Sequence, residues 1–164
     1  MKTAVIFYSY GGNCAFVAAH IKTLMNADLI RLRTKNEKRR GRVTGFLTAC
    51  AMVFMKRRPA LKPVAFDLAA YDLIVIGAPV WAASPAPPVQ AFLSQAGIVG
   101  KKLALFVSHV GGMGNALGKF AAMLPGNEML DAKDFTNPAK NAEDTERQVA
   151  DWVKVLEEKM KGHS

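Results

Sequence analysis

The stretch Ala4-Val5-Ile6-Phe7-Tyr8-Ser9-Tyr10-Gly11-Gly12-Asn13-Cys14-Ala15-Phe16-Val17-Ala18-Ala19 decides the reading of this chain. Five apolar residues stop at a polar, glycine-bearing turn that passes straight into a helix-like run. A buried strand, a tight turn and a helix start together make an anion cradle. The turn aims successive backbone N–H groups at one point, and the helix N-terminus adds partial positive charge there. A phosphate fits such a loop without any lysine or arginine. The competing reading of Gly11-Gly12 is a plain strand-to-helix turn, and it loses ground once the other strand exits are considered.

Further apolar runs follow at Leu29–Leu32, Leu73–Ile76 and Leu103–Val107, with a weaker one near Glu128–Ala132. The two central runs are continuously apolar, the pattern of strands covered on both faces, as in parallel sheets. Helical patterns lie between them. Ala15–Met25 places Phe16, Ala19, Ile21 and Leu24 near one stripe. Pro87-Pro88 opens a helix through Leu93, since proline suits a first turn. Gly114–Leu124 makes a third, ended by Pro125-Gly126. Asn141 is placed to cap the last, whose Val149, Trp152, Val153, Leu156 and Met160 mark an apolar face. Strand and helix alternating through one domain predict an α/β, doubly wound sheet.

The chain has 164 residues, enough for one domain with a sizeable core, and 51% of them are hydrophobic. No apolar run reaches the roughly 20 residues that span a bilayer. The first residues do not read as a secretory leader. Two cysteines, Cys14 and Cys50, lie in separate segments, so no disulfide framework is expected and a reducing cytoplasm is the expected compartment. Three scattered histidines offer no metal-ligand spacing.

The net charge of +9 is concentrated. Residues 31–62 hold eleven Lys or Arg against one acid, Glu37; the rest of the chain holds eleven bases and twelve acids. Residues 34–63 also break the strand–helix alternation, being too long for an ordinary connection. Residues 43–55 are nearly all apolar or small, with Lys38-Arg39-Arg40-Gly41-Arg42 before them and Lys56-Arg57-Arg58 after. This reads as an insertion carrying a short helix, with Cys50 a small apolar member of it. A helix apolar nearly all round wants cover, so self-association or a partner through residues 38–58 ranks first. Contact with an anionic membrane surface ranks second, and a loop covering its own sheet edge stands beside both. Nucleic acid is disfavoured, because no aromatic-studded basic face is visible.

In doubly wound sheets, ligands sit beyond the carboxyl ends of the strands. Three strand exits qualify here: Ser9–Cys14, the segment Gly77–Pro88 containing Pro79-Val80-Trp81-Ala82, and Ser108-His109-Val110-Gly111-Gly112-Met113-Gly114. The first offers a phosphate cradle, the second an indole, the third backbone N–H groups and an imidazole. Together they suit a phosphate-bearing aromatic cofactor. Trp81 also has a core-packing reading and His109 a plain loop reading. Cys14 starts a helix, where a thiol pKa is lowered, although a bystander thiol is the favoured reading. Trp152 lies on an apolar helix face and reads as core.

Two of these pieces carry a resemblance. Phe7-Tyr8-Ser9-Tyr10-Gly11-Gly12-Asn13-Cys14 resembles the FMN-phosphate loop of the flavodoxin-like family. Tyr71-Asp72-Leu73-Ile74-Val75-Ile76-Gly77-Ala78-Pro79-Val80-Trp81 with Ser84-Pro85-Ala86-Pro87-Pro88 resembles that family's third strand and first flavin-flanking loop. The resemblance implies a five-stranded parallel sheet in the order 2-1-3-4-5 and FMN as cofactor. It places Ser9, Tyr10, Gly11, Gly12, Asn13 and Cys14 at the phosphate. Pro79, Val80, Trp81 and Ala82 flank one side of the ring, with Trp81 stacking, and Ser108, His109, Gly111 and Gly112 approach its polar edge.

Two departures stand out. The family loop usually offers hydroxyls at the positions of Ser9, Gly11 and Cys14, and only Ser9 carries one. Each lost hydroxyl forgoes roughly 1.5–3 kcal/mol as a hydrogen bond to a charged group, so weakened FMN binding is expected. Flavodoxins that act as carriers are typically acidic, and this chain is basic. The resemblance therefore implies an FMN-binding electron-transfer protein that works with a redox partner protein or NAD(P)H. Its alternatives are an NAD(P)H-dependent flavin or quinone reductase, and a binding module that has lost FMN and acts through the basic insertion.

Overall fold

The structure, a computed structural model, describes residues 1–35 and 58–162. Six strands form the sheet: β1 (Thr3–Phe7), β2 (Asp28–Arg31), β3 (Leu73–Trp81), β4 (Ser84–Pro85), β5 (Lys102–His109) and β6 (Glu128–Thr136). The order is β2-β1-β3-β5-β6, all parallel, with the two-residue β4 antiparallel on the end of β3. Counting the five parallel strands alone, this is the expected order 2-1-3-4-5. The helices are α1 (Asn13–Met25), α2 (Pro87–Ala96), α3 (Ala116–Ala122) and α4 (Ala142–Gly162), with a short 3₁₀ turn at Leu68–Ala70.

The continuously apolar strands are buried on both faces, and side chains alternate between two cores with the strand period of 2. Val5, Phe7, Leu73, Val75, Ala104 and Phe106 point to the α1/α4 layer. Ile6, Tyr8, Ile74, Ile76, Leu105 and Val107 point to the opposite layer, with Val89 and Phe92 of α2 and Phe120 of α3. In the first core Phe106, Phe135 and Trp152 meet edge-on, with ring centroids 6.0–6.4 Å apart. Trp152 is 3% exposed and its indole N–H donates to Asp131 Oδ2 at 2.6 Å. Burial of each such side chain contributes about 1.5–3 kcal/mol.

Two expectations need correction. The buried face of α1 is Cys14, Val17, Ala18, Ile21 and Met25, whereas Ala19 is exposed and Leu24 is 48% exposed. That face follows i, i+3, i+4, i+7 spacing from the helix start, and it begins at the cysteine because α1 starts at Asn13, two residues earlier than expected. β3 runs on to Trp81 and turns back as a hairpin, so the second exit is a β-turn and not an open loop. Asn141 holds the expected position just before α4, where its carbonyl accepts Thr145 N–H and its side-chain amide donates back to the Thr136 carbonyl at 3.0 Å.

β6 was the weakest strand in the sequence because it is an edge strand. Its side chains are mostly half-buried or exposed, and Asp131, Lys133 and Asp134 interrupt the apolar pattern. At the other edge, Thr34 bridges Leu61 antiparallel, and Lys35 N–H and Lys62 N–H bond the carbonyls of Ala60 and Arg33. The two ends of the basic insertion are thus paired at its base. Residues 36–57, including Cys50, the expected short helix and nearly all of the surface proposed at 38–58, lie outside the described residues. No described helix is long and apolar enough to cross a membrane.

Gly77 leaves no room for a side chain. It sits in register with Phe7 on one side and Phe106 on the other. A Cβ added to Gly77 would lie 2.0 Å from the Phe106 ring, which already occupies that space. Gly77→Ala is expected to cost roughly 1–3 kcal/mol by overpacking. In thermal unfolding this reads as a fall in Tm of several degrees, at about 2–4 °C per kcal/mol for a chain of this size; an unchanged Tm would contradict it.

Candidate functional site

At the carboxyl ends of β1, β3 and β5 a cleft of about 470 Å³ opens. Its wall is Ser9, Tyr10, Gly11, Asn13, Cys14, Pro79, Val80, Trp81, Ser108, His109, Val110, Gly111 and Gly112. Twelve of the fourteen residues singled out from the sequence are among them. Gly12 and Ala82 are not. Gly12 is the turn residue of the first loop, with φ +93°, and Ala82 lies in the hairpin turn, exposed. Val110 was missed, although it lies between two residues that were named.

The first loop presents backbone donors at a helix start. Ser9 is 1% exposed, and its hydroxyl accepts the N–H of Ala15 at 3.2 Å, fastening the loop to the first turn of α1. Gly12 occupies the cap position in the left-handed region, and no side chain caps the helix. Among the described residues, the N–H groups of Gly11, Gly12, Asn13 and Cys14 have no hydrogen-bond partner. These are the orphan donors of a helix start. Asn13 Oδ1 accepts Ala139 N–H at 3.2 Å, which ties the cradle to the loop after β6.

Cys14 behaves unlike a helix-start thiolate. It is 1% exposed, faces the core, and its Sγ lies 3.0 Å from Ser108 Oγ. Burial pushes its thiol pKa up to about 12, against the smaller downward pull of the Ser108 hydrogen bond. Desolvation of the charged form dominates, so the bystander reading is favoured and the lowered pKa is not found. The pair also joins the first exit to the third from beneath.

The second exit presents aromatic rings. Trp81 is half-buried and meets Tyr8 edge-on at 6.0 Å and Tyr10 at 6.2 Å. It is held there by a two-residue turn in which Ala82 (φ +50°) and Ala83 (φ +52°) are both left-handed. Each such alanine costs roughly 1–2 kcal/mol. Lys119 of α3 donates from Nζ to the Ala83 carbonyl at 2.9 Å, anchoring the strained turn.

The third exit carries an ordered imidazole. His109 Nε2 lies 3.0 Å from Asp134 Oδ2 on the neighbouring β6, with the His109 side chain 10% exposed. A carboxylate only accepts, so Nε2 carries the proton and donates. Among the described residues, His109 Nδ1 is buried with no partner. The His109 carbonyl accepts Asn137 N–H at 2.8 Å, so the loop after β6 braces this exit as well as the cradle. The sequence held no sign of Asp134, because a carboxylate on an edge strand reads as solvated.

Two outcomes follow from this geometry. With Cys50 replaced by Ser, Cys14 of the native protein is expected to resist a thiol reagent at pH 8 and to react only at the rate of global or local opening; prompt native-state labelling would contradict its burial. Replacing the turn by Ala82→Asn with Ala83→Gly, the pair that favours two positive φ angles, is expected to raise stability by about 1–2 kcal/mol, read as a higher denaturant midpoint.

The comparisons agree with this architecture. A flavoprotein from Lactobacillus acidophilus, solved in complex with FMN, has a TM-score of 0.71 at 20% identity, covering 87% of this chain and 97% of that one. Oxidised flavodoxin 2 from Bacillus cereus has a TM-score of 0.63 at 18% identity, covering 97% and 99%. A flavodoxin, WrbA-like protein from Agrobacterium tumefaciens has a TM-score of 0.62 at 15% identity, covering 99% of each chain. At these identities the likeness is one of fold. No curated protein matches the chain. The family model described as flavodoxin matches residues 2–156, nearly the whole length. The chain belongs to the flavodoxin family.

Proposed function

We propose that the chain binds FMN non-covalently in the cleft and serves as an electron-transfer flavoprotein. The observation that carries this is the convergence of three exits, Ser9–Cys14, Pro79–Trp81 and Ser108–Gly112, on one cleft of about 470 Å³. That volume is in the range of small-molecule sites. The family membership and the FMN complex of the Lactobacillus relative support the choice of cofactor.

The residues fit the group. A Cβ added at Gly11 or Gly12 would meet nothing within 4 Å, so the loop faces open space at both positions. The cradle suits the phosphate, Trp81 and Tyr10 suit the apolar faces of a ring, and the orphan Nδ1 of His109 adds a polar atom beside the third exit. Bound FMN supplies one- and two-electron redox chemistry, which the protein tunes through packing and hydrogen bonding. The protein's own part is to hold the phosphate, order the aromatic wall and keep water from the inner side of the cleft. Tyr10 (41% exposed) and Val110 (70% exposed) leave an apolar rim at the mouth, suited to the approach of a redox partner protein or NAD(P)H.

Adding FMN to purified protein tests the reading. A shifted, structured flavin absorption with quenched fluorescence is expected, retained through gel filtration. Failure to retain FMN at excess would overturn the proposal and leave the family's fold as a binding module. If FMN is held, bleaching on addition of NADPH alone assigns the reductase activity, whereas bleaching only with a protein donor assigns the carrier.

A further inference from the structure

Arg31 ends β2 at the sheet edge, where nothing in the strand requires a guanidinium. It lies in register with Phe7, two residues before the first loop. Its Nη2 donates to the Ser9 carbonyl at 3.0 Å. Ser9 in turn accepts from Ala15 and so fixes the cradle to α1. Among the described residues no carboxylate forms an ion pair with Arg31. A guanidinium has five N–H donors in one plane, and one of them is accounted for. Among the described residues, a guanidinium without a carboxylate partner therefore sits on the carbonyl of the residue that opens the cradle.

We propose that Arg31 is the cation that lets this hydroxyl-poor cradle hold a phosphate dianion, and that it makes the site prefer a phosphorylated flavin over the bare one. The proposal rests on the reading of the cleft as an FMN site and adds a residue and a specificity to it. A phosphate monoester carries about −1.5 to −2 charge at neutral pH. The cradle answers it with backbone dipoles, which carry partial charges only, and with the single hydroxyl of Ser9. Gly11 has no side chain to give, and Cys14 faces Ser108 and the core. The Arg31 guanidinium, hydrogen-bonded to the Ser9 carbonyl, supplies what is missing. Charge-assisted hydrogen bonds are about twice as strong as neutral ones. Arg31 could not be singled out from sequence, where it is one base among eleven in residues 31–62. Its carbonyl partner is 22 residues away along the chain.

The test uses full-length ¹⁵N-labelled protein, the Arg31→Gln and Arg31→Lys variants, and three probes: inorganic phosphate, FMN and riboflavin, at low and high salt. Phosphate should move the amide signals of Gly11 to Cys14 saturably in the parent protein. Arg31→Gln should weaken phosphate and FMN by about 10- to 100-fold, leave riboflavin within about twofold, and flatten the salt dependence of FMN binding. Arg31→Lys, which keeps the charge, should recover most of the loss. A glutamine variant with the parent FMN-to-riboflavin ratio and salt dependence would overturn the proposal. So would equal losses in both variants with riboflavin falling alongside, since that marks a loop tie and nothing more. If phosphate moves the cradle amides but FMN does not bind, the flavin reading fails while the phosphate arm still judges Arg31. If phosphate moves nothing in the parent protein, the Arg31 proposal falls whatever FMN does.

Discussion

The ring of Phe106 lies where a side chain at Gly77 would be, and that seat sets the register of the central sheet. Phe7, Gly77 and Phe106 form one row across β1, β3 and β5. Because parallel strands locked at one row run on together, their exits emerge at one level: Ser9 two residues past the row, Pro79 two past it, Ser108 two past it. Strand order then finishes the work. β1 connects outward to β2, while β3 and β5 lie on its other side, so the cleft opens at the switch in winding direction. The aromatic contacts of Phe106 with Phe135 and Trp152 carry the same constraint into α4 and β6.

What the cleft presents is mostly backbone and ring. The cradle offers four N–H groups without partners among the described residues, and the second exit offers Trp81 held edge-on between Tyr8 and Tyr10. The fold accepts strain to do this. Two consecutive left-handed alanines cost more than a turn built on Asn-Gly, yet they return the chain to β4 within two residues and fix Trp81 at the cleft wall. Lys119 holds the turn from α3. The loop after β6 braces the opposite side, through Asn13 and the His109 carbonyl. A site so braced presents a preformed surface, which lowers the ordering cost of binding.

Sequence reading succeeded where local pattern and burial coincide. Leu73-Ile74-Val75-Ile76 and Leu103-Ala104-Leu105-Phe106-Val107 are apolar without a break because both faces are covered, and no other environment suits such runs so well. It failed where a residue's role is set by a neighbour distant in the chain. The stripe expected on α1 ran through Phe16, Ala19, Ile21 and Leu24, of which only Ile21 is fully buried, because the helix was started two residues late and apolar character alone cannot say which way a helix faces. Cys14 was read from its place at a helix start, but Ser108, 94 residues on, and the surrounding core decide its protonation. The hairpin at Ala82-Ala83 had no turn residue to announce it, since its conformation is imposed by β3–β4 pairing and Lys119.

The sequence by itself determined the class of fold, the five parallel strands, the three strand exits and the glycine-bearing strand-to-helix turn at Ser9–Cys14, because each is written in residues next to one another. Only the tertiary structure decided that Cys14 is buried and protonated, that His109 is oriented by Asp134, and that Arg31 bonds the Ser9 carbonyl. Those facts depend on which strands lie side by side. Electrostatics and desolvation act through space over a few ångströms, and the chain brings those ångströms together only when the sheet closes its register.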